Sequence, residues 1–144
     1  MLISAHWLKK NIKRKNIKVL DASWYLPNIH RDPKKEYIKK RIPKAAFFDI
    51  DDICDLKSNL PHMLPSKSIF ENKVSDLGIK SNDIIIVYCK EGVLSSPRVW
   101  WMFKYFGHKK VFILNGGFNQ NFTLLDIGVN SSNQGDGAEH IFVA

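Results

Sequence analysis

A thiol, a cation and a glycine in close succession, Cys89, Lys90 and Gly92, are the residues of this chain best suited to chemistry. The nucleophilic, sulfur-carrying form of cysteine is the thiolate, which neighbouring cations, backbone N–H groups and the positive end of a helix all favour. Lys90 supplies the cation, and Gly92 permits a backbone conformation that side chains disfavour. The flanking residues supply the frame. Ile84 to Tyr88 is a short β-branched and aromatic run, the pattern of a strand buried on both faces. Ser95 or Ser96 suits an N-cap, Pro97 the first helical position, and Val99, Met102, Phe103 and Phe106 recur at helical spacing. The pattern predicts a tight loop from strand to helix, with the N–H groups of residues 90–95 cradling an anionic sulfur. A cysteine ending a buried strand is more often an inert small apolar side chain. Against that, the residues after Cys89 build a turn fit for an anion instead of more core.

Cys89-Lys90-Glu91-Gly92-Val93 resembles the active-site loop of the rhodanese superfamily, in which a Cys opens a six-residue loop and carries a persulfide. Ser96-Pro97-Arg98-Val99-Trp100-Trp101 resembles the amino-terminal domain of two-domain thiosulfate and 3-mercaptopyruvate sulfurtransferases. So do Asp21 to Pro27, Phe47 to Asp51, Pro61 to Pro65 and Leu114 to Gly117, in the same order along the chain. The match is closest to the mercaptopyruvate type. The resemblance implies a single α/β rhodanese-like domain over residues 1–118, with a mainly parallel sheet and helices on both faces. It implies a sulfane sulfur moved from thiosulfate or 3-mercaptopyruvate, through a Cys89 persulfide, to a thiol, a protein or cyanide. Asp51 and His62 stand where the mercaptopyruvate enzymes have an Asp and a His that support proton transfer at the catalytic Cys. The loop residues Lys90, Glu91, Gly92, Val93, Leu94 and Ser95, with Arg98, are the expected substrate-binding group. No metal and no organic cofactor is implied.

Two departures accompany the match. The two-domain enzymes carry the catalytic Cys in the second domain and usually an Asp at the position of Cys89. Leu94 stands where many active loops have Thr, Ser or Arg. A rival reading is therefore a catalytically inactive amino-terminal-type module lacking its active second domain. A third, phosphatase-like chemistry, wants a longer loop closed by an Arg, which Leu94-Ser95 does not supply.

At 144 residues the chain is long enough for one sizeable core. Two cysteines, Cys54 and Cys89, make no disulfide framework, so free thiols in a reducing compartment, the cytoplasm, are expected. No apolar run approaches a membrane span, and Met1 to Ile3, soon followed by Lys9, is too short for a signal-peptide core, so a secretory leader is not expected. Residues 1–44 hold 13 Lys and Arg against 3 acidic residues, while residues 45–144 hold 9 against 11. Such a basic surface gathers small anionic sulfur donors. Nucleic acid is not the expected partner, because the basic stretch lacks interleaved aromatics and fits none of the common binding motifs. Oligomeric state is not set by the sequence.

In chain order, Ser4 caps a short helix using Trp7, Leu8 and Ile12, and Val19-Leu20 leads a first strand ending at Asp21. Residues after Asp32-Pro33 read as helix, and Lys44 sits where the family turn has Gly, at some cost in backbone strain. Phe47 to Asp49 reads as a strand, Asp51 and Asp52 as the start of a short helix, and Cys54 as a buried, inert thiol. Residues 59–65 form a loop presenting His62. Ser66 caps a helix that Gly78 stops, and Val111 to Leu114 is the last clear strand. Asn115-Gly116-Gly117 is expected to approach the cysteine loop. After Lys110 there is no Lys or Arg, and residues 119–144 read as a diverged or truncated, weakly ordered tail.

Overall fold

The computed structural model of the chain describes residues 1–125, with side chains through Asn121. Five strands, β1 (Leu2–Ile3), β2 (Ile17–Asp21), β3 (Ala46–Phe47), β4 (Ile84–Tyr88) and β5 (Val111–Leu114), form one sheet. Its order is β1-β5-β4-β2-β3, and every pairing is parallel. The most apolar strand, β4, lies at the centre and aligns with β2 from Ile84 opposite Ile17 to Tyr88 opposite Asp21. Parallel strands need crossover connections, and five helices supply covering layers: α1 (Ala5–Asn11), α2 (Pro33–Lys39), α3 (Lys67–Asp76), α4 (Ser96–Tyr105) and α5 (Gly117–Leu125).

Side chains of β4 alternate between two cores, as a strand's pleat requires. Ile85 and Val87 join Phe70 and Val74 of α3 and Val99, Met102 and Phe103 of α4. Ile86 and Tyr88 join Ala5 and Leu8 of α1 and Phe118 of α5, with Tyr37 of α2 at the margin. Helices thus cover both faces, as expected. The helix starts follow the sequence: Ser4 accepts from the Trp7 amide at 3.1 Å, and Asp32 and Ser66 cap α2 and α3.

Several local expectations are corrected. The edge strand β1 has two residues and no periodicity to reveal it. Asp51 and Asp52 form no helix. They lie in a turn in which Asp49 O accepts from the amides of Asp52 and Ile53, at 3.1 and 2.8 Å. Ser95 occupies the N-cap position of α4 without a side-chain capping bond, and Pro97 is the second helical residue, since α4 begins at Ser96. Lys44 does take a left-handed conformation, φ 70°, and its ammonium donates to Ile12 O and Arg14 O at 2.8 and 3.1 Å. Helix α5 runs past residue 118 to Leu125. The remainder of the expected tail, 126–144, lies outside the described residues.

Candidate active site

Cys89 follows β4 directly, at the carboxyl end of the sheet, where open parallel sheets place their ligand sites. Its loop is clamped from both sides. On one side, Asp21 at the end of β2 accepts from the Ser23 amide (2.9 Å) and hydroxyl (2.5 Å). With its proton committed to Asp21, the Ser23 oxygen accepts the Lys90 amide at 3.0 Å. Ser95, at the loop's far end, donates its hydroxyl to Ala22 O at 2.6 Å. On the other side, the amides of Phe118 and Asn119 donate to Cys89 O and Lys90 O at 2.9 and 2.8 Å. Gly117, φ 69°, lets the backbones meet: a Cβ there would stand 2.7 Å from Cys89 O. The expected approach of the 115–117 turn is realised.

The sulfur's own surroundings differ from the expected cradle of amides. Cys89 is 3% exposed, and its Sγ donates to the carbonyl oxygens of Glu91 (3.3 Å) and Gly92 (3.6 Å). A neutral thiol is a donor and turns to acceptors, while the Lys90 amide, the nearest N–H expected to face it, is spent on Ser23.

Lys90 is likewise corrected. Its side chain is buried, donates to Lys40 O, lies 3.9 Å from Asp21 Oδ2 and sits 4.1 Å over the Phe118 ring. Burial pulls the ammonium's pKa down, with Asp21 opposing, and burial pushes the Asp21 carboxyl up against the Ser23 bonds and Lys90. This cation is engaged inside the α2 and α5 layer and does not line the cleft described next. Asp21 and Ser23, which organise the loop, were not among the expected site residues. Their signal was a carboxylate and a hydroxyl two apart at the end of a buried strand.

Of the remaining site residues, His62, Leu94, Ser95 and Arg98 line a cleft of about 520 Å³, together with Trp24, Tyr25, Leu26, Ile29 and Ile50. His62 Nε2 lies 2.5 Å from Asp51 Oδ1, and the Trp24 indole N–H donates to the same oxygen at 3.2 Å. The Trp24 and His62 rings meet edge to face, with centroids 4.9 Å apart. His62 holds φ 58°, a conformation costly for a residue with a Cβ; its carbonyl accepts from Arg98 Nη2. Arg98, not Lys90, is the cation of this cleft. Glu91 points to the rim, paired with Arg31 at 2.8 Å, and Arg31 also pairs with Glu36. Gly92, φ 59°, and Val93 complete the loop's outer turn, and Leu94 is 82% exposed. The structure therefore gathers Asp51, His62, Leu94, Ser95 and Arg98. Cys89 lies behind them and is not among the lining residues. Cys54 is buried, donates its S–H to Asp51 O at 3.2 Å and has a raised pKa, from burial first and then from the nearby aspartates. No metal-binding group of His, Cys, Asp or Glu occurs among the described residues.

The rhodanese-like domain family matches residues 4–121. A thiosulfate/3-mercaptopyruvate sulfurtransferase of Arabidopsis thaliana, named as mitochondrial, is 48% identical over 81% of this chain and 31% of its own length. The 3-mercaptopyruvate sulfurtransferase of Rattus norvegicus is 44% identical over 81% of this chain and 41% of its own. The chain thus spans less than half the length of these curated relatives. Among solved structures, SseA from Escherichia coli, described as a 3-mercaptopyruvate sulfotransferase with the rhodanese fold, superposes with a TM-score of 0.84 at 35% identity. That superposition covers 97% of this chain and 52% of SseA.

Proposed function

We propose, for a chain that belongs to the rhodanese-like domain family, that it works in sulfur transfer through a persulfide on Cys89. The observation that carries this reading is the position of Cys89, at the turn between the central strand and α4, in a chain 48% identical to a named sulfurtransferase. The Cys89 thiolate attacks the outer sulfur of thiosulfate, the donor's S–S bond breaks, and sulfite leaves with the electron pair. With 3-mercaptopyruvate the C–S bond breaks instead, and the carbon takes up a proton to give pyruvate. An acceptor thiolate or cyanide then attacks the terminal sulfur and Cys89 leaves as thiolate.

Loss of the thiol proton removes both S–H···O=C bonds and sets an anion against two carbonyl oxygens, so sulfur loading requires the 91–92 segment to turn its amides inward. Gly92 has open space where a Cβ would stand, and as a glycine it has access to backbone conformations closed to other residues. The His62–Asp51 pair handles the proton from the cleft side. The donor is a small anionic sulfur compound and the acceptor a thiol or a protein.

The same reading places the chain in the cytoplasm, supported by two free thiols; fractionation distinguishes this from the mitochondrial address in the plant relative's name. Among the described residues no helix is long and apolar enough to cross a membrane.

A second reading is favoured by one observation, the 3% exposure of Cys89 behind a cleft it does not line. In it the domain is catalytically inactive by itself and presents Asp51, His62 and the cleft to another rhodanese-like domain that brings its own cysteine. Sulfur transfer from thiosulfate to cyanide, and from 3-mercaptopyruvate to dithiothreitol, separates the two. The first reading expects turnover that Cys89→Ala abolishes; equal rates for both proteins would refute it and leave the second.

A further inference from the structure

The amino end of the sheet, where the strands begin, is crowded with lysines. Lys15 and Lys18 stand at the start of β2, Lys44 just before β3, Lys80 in the turn before β4, and Lys109 and Lys110 just before β5. Strand pairing brings these starts into one row. Lys18 and Lys44 each lie two residues ahead of the paired Leu20 and Ala46, Lys18 aligns with Ile85, and the Ile85 amide donates to Lys110 O at 2.8 Å. Burial first, and Lys18 next, draw the Lys44 pKa down, as two like charges held close require. All six lysines are exposed except Lys18, which is half-buried. Little negative charge answers them. Asp83, the one carboxylate in these turns, is buried and accepts the Lys80 amide at 2.7 Å. Asp76, at the end of α3, acts on Lys73. Like charges gathered this way cost stability, which an outside anion restores. Delivery of donors to Cys89 does not account for them, because the length of β4, about 13 Å, separates the two ends.

We propose that the amino end of the sheet is a docking surface for the acidic face of a protein partner, engaged through Lys15, Lys18, Lys80, Lys109 and Lys110. Such a partner holds the domain from behind and leaves the cleft open. The same turns offer a nucleic acid less. They contain no Phe, Tyr or Trp on which a base could stack, and strand starts present no helix or ribbon to enter a groove. Nor do they carry an exposed large apolar side chain to enter a membrane surface.

Fluorescence anisotropy with two labelled probes of equal charge, a glutamate-rich peptide and a short DNA duplex, tests this. The peptide should bind the wild-type chain more tightly than the duplex does, and added salt should weaken it steeply. Replacing Lys15, Lys80, Lys109 and Lys110 together by Gln, all at exposed positions, should weaken the peptide about thirtyfold. Replacing Lys10, Lys34, Lys35 and Lys39 by Gln removes the same charge from exposed positions of α1 and α2, and should weaken it about threefold at most. Equal losses in the two variants would assign the binding to net charge and overturn the proposal. A wild-type chain that ignores the peptide overturns it too, and tighter binding of the duplex overturns it in favour of a nucleic acid.

Discussion

Two thiols, both more than nine-tenths buried, meet different surroundings. Cys54 is held by Asp51 O, and burial, reinforced by Asp51, Asp52 and Asp55, raises its pKa above the ordinary thiol range. The folded thiol therefore keeps its proton at a pH where the unfolded chain has already lost it. The resulting stability is complete below the unfolded pKa and is lost as pH rises through the folded one. In a Cys89→Ala protein, iodoacetamide should modify Cys54 with a midpoint above that of a free cysteine in urea; coincident midpoints would contradict the assignment. At the same scale, the two candidate cations exchange roles. Lys90 is Cys89's neighbour in sequence, but its side chain turns into the layer of Phe118 and Lys40, whereas Arg98, on the first turns of α4, reaches the cleft. Proximity along the chain was legible; the direction of a side chain leaving a strand end was not.

The elements around the cysteine loop depend on two left-handed glycines that play unequal parts. Gly92, φ 59°, faces open space, so Gly92→Ala meets the backbone penalty alone, about 1 kcal/mol. Gly117, φ 69°, lies against Gly92 and Cys89, so an added methyl must also displace the loop backbone. Gly117→Ala should therefore cost at least about 2 kcal/mol more in denaturant unfolding than Gly92→Ala. Equal costs would show that the 117–119 segment does not brace the loop. The long, strongly patterned elements, β4, α4 and β5, were readable from apolar runs and helical spacing. Strand β1 was not, because two residues carry no period, and its place comes from pairing with β5. The aspartates at 51 and 52 suggested a helix start, but the turn closed by Asp49 prevailed. Short polar segments take their form from partners distant in sequence, and Ser23 under the Lys90 amide, 67 residues away, is the clearest instance.

Across the whole molecule, the charge asymmetry of the sequence maps onto layers. The basic first 44 residues contain α1, α2 and the turn that packs against them, all on the face opposite α3 and α4. The cleft opens at the carboxyl end of the sheet, between the loop after β2 and the loop after β4. The family and its parallel sheet were legible because most of the matching blocks, those beginning at Asp21, Phe47, Cys89 and Leu114, lie at the ends of β2, β3, β4 and β5, where loop geometry constrains residue type. Two facts were not: the thiol's enclosure by carbonyls, which depends on where each amide finds an acceptor, and the separation of Cys89 from the cleft. The account turns on whether that enclosed sulfur can be charged. Intact mass and peptide mapping after incubation with thiosulfate or 3-mercaptopyruvate answer this directly. The account predicts a gain of one sulfur atom, located on Cys89 and removed by cyanide; no gain, or a gain confined to Cys54, would contradict it.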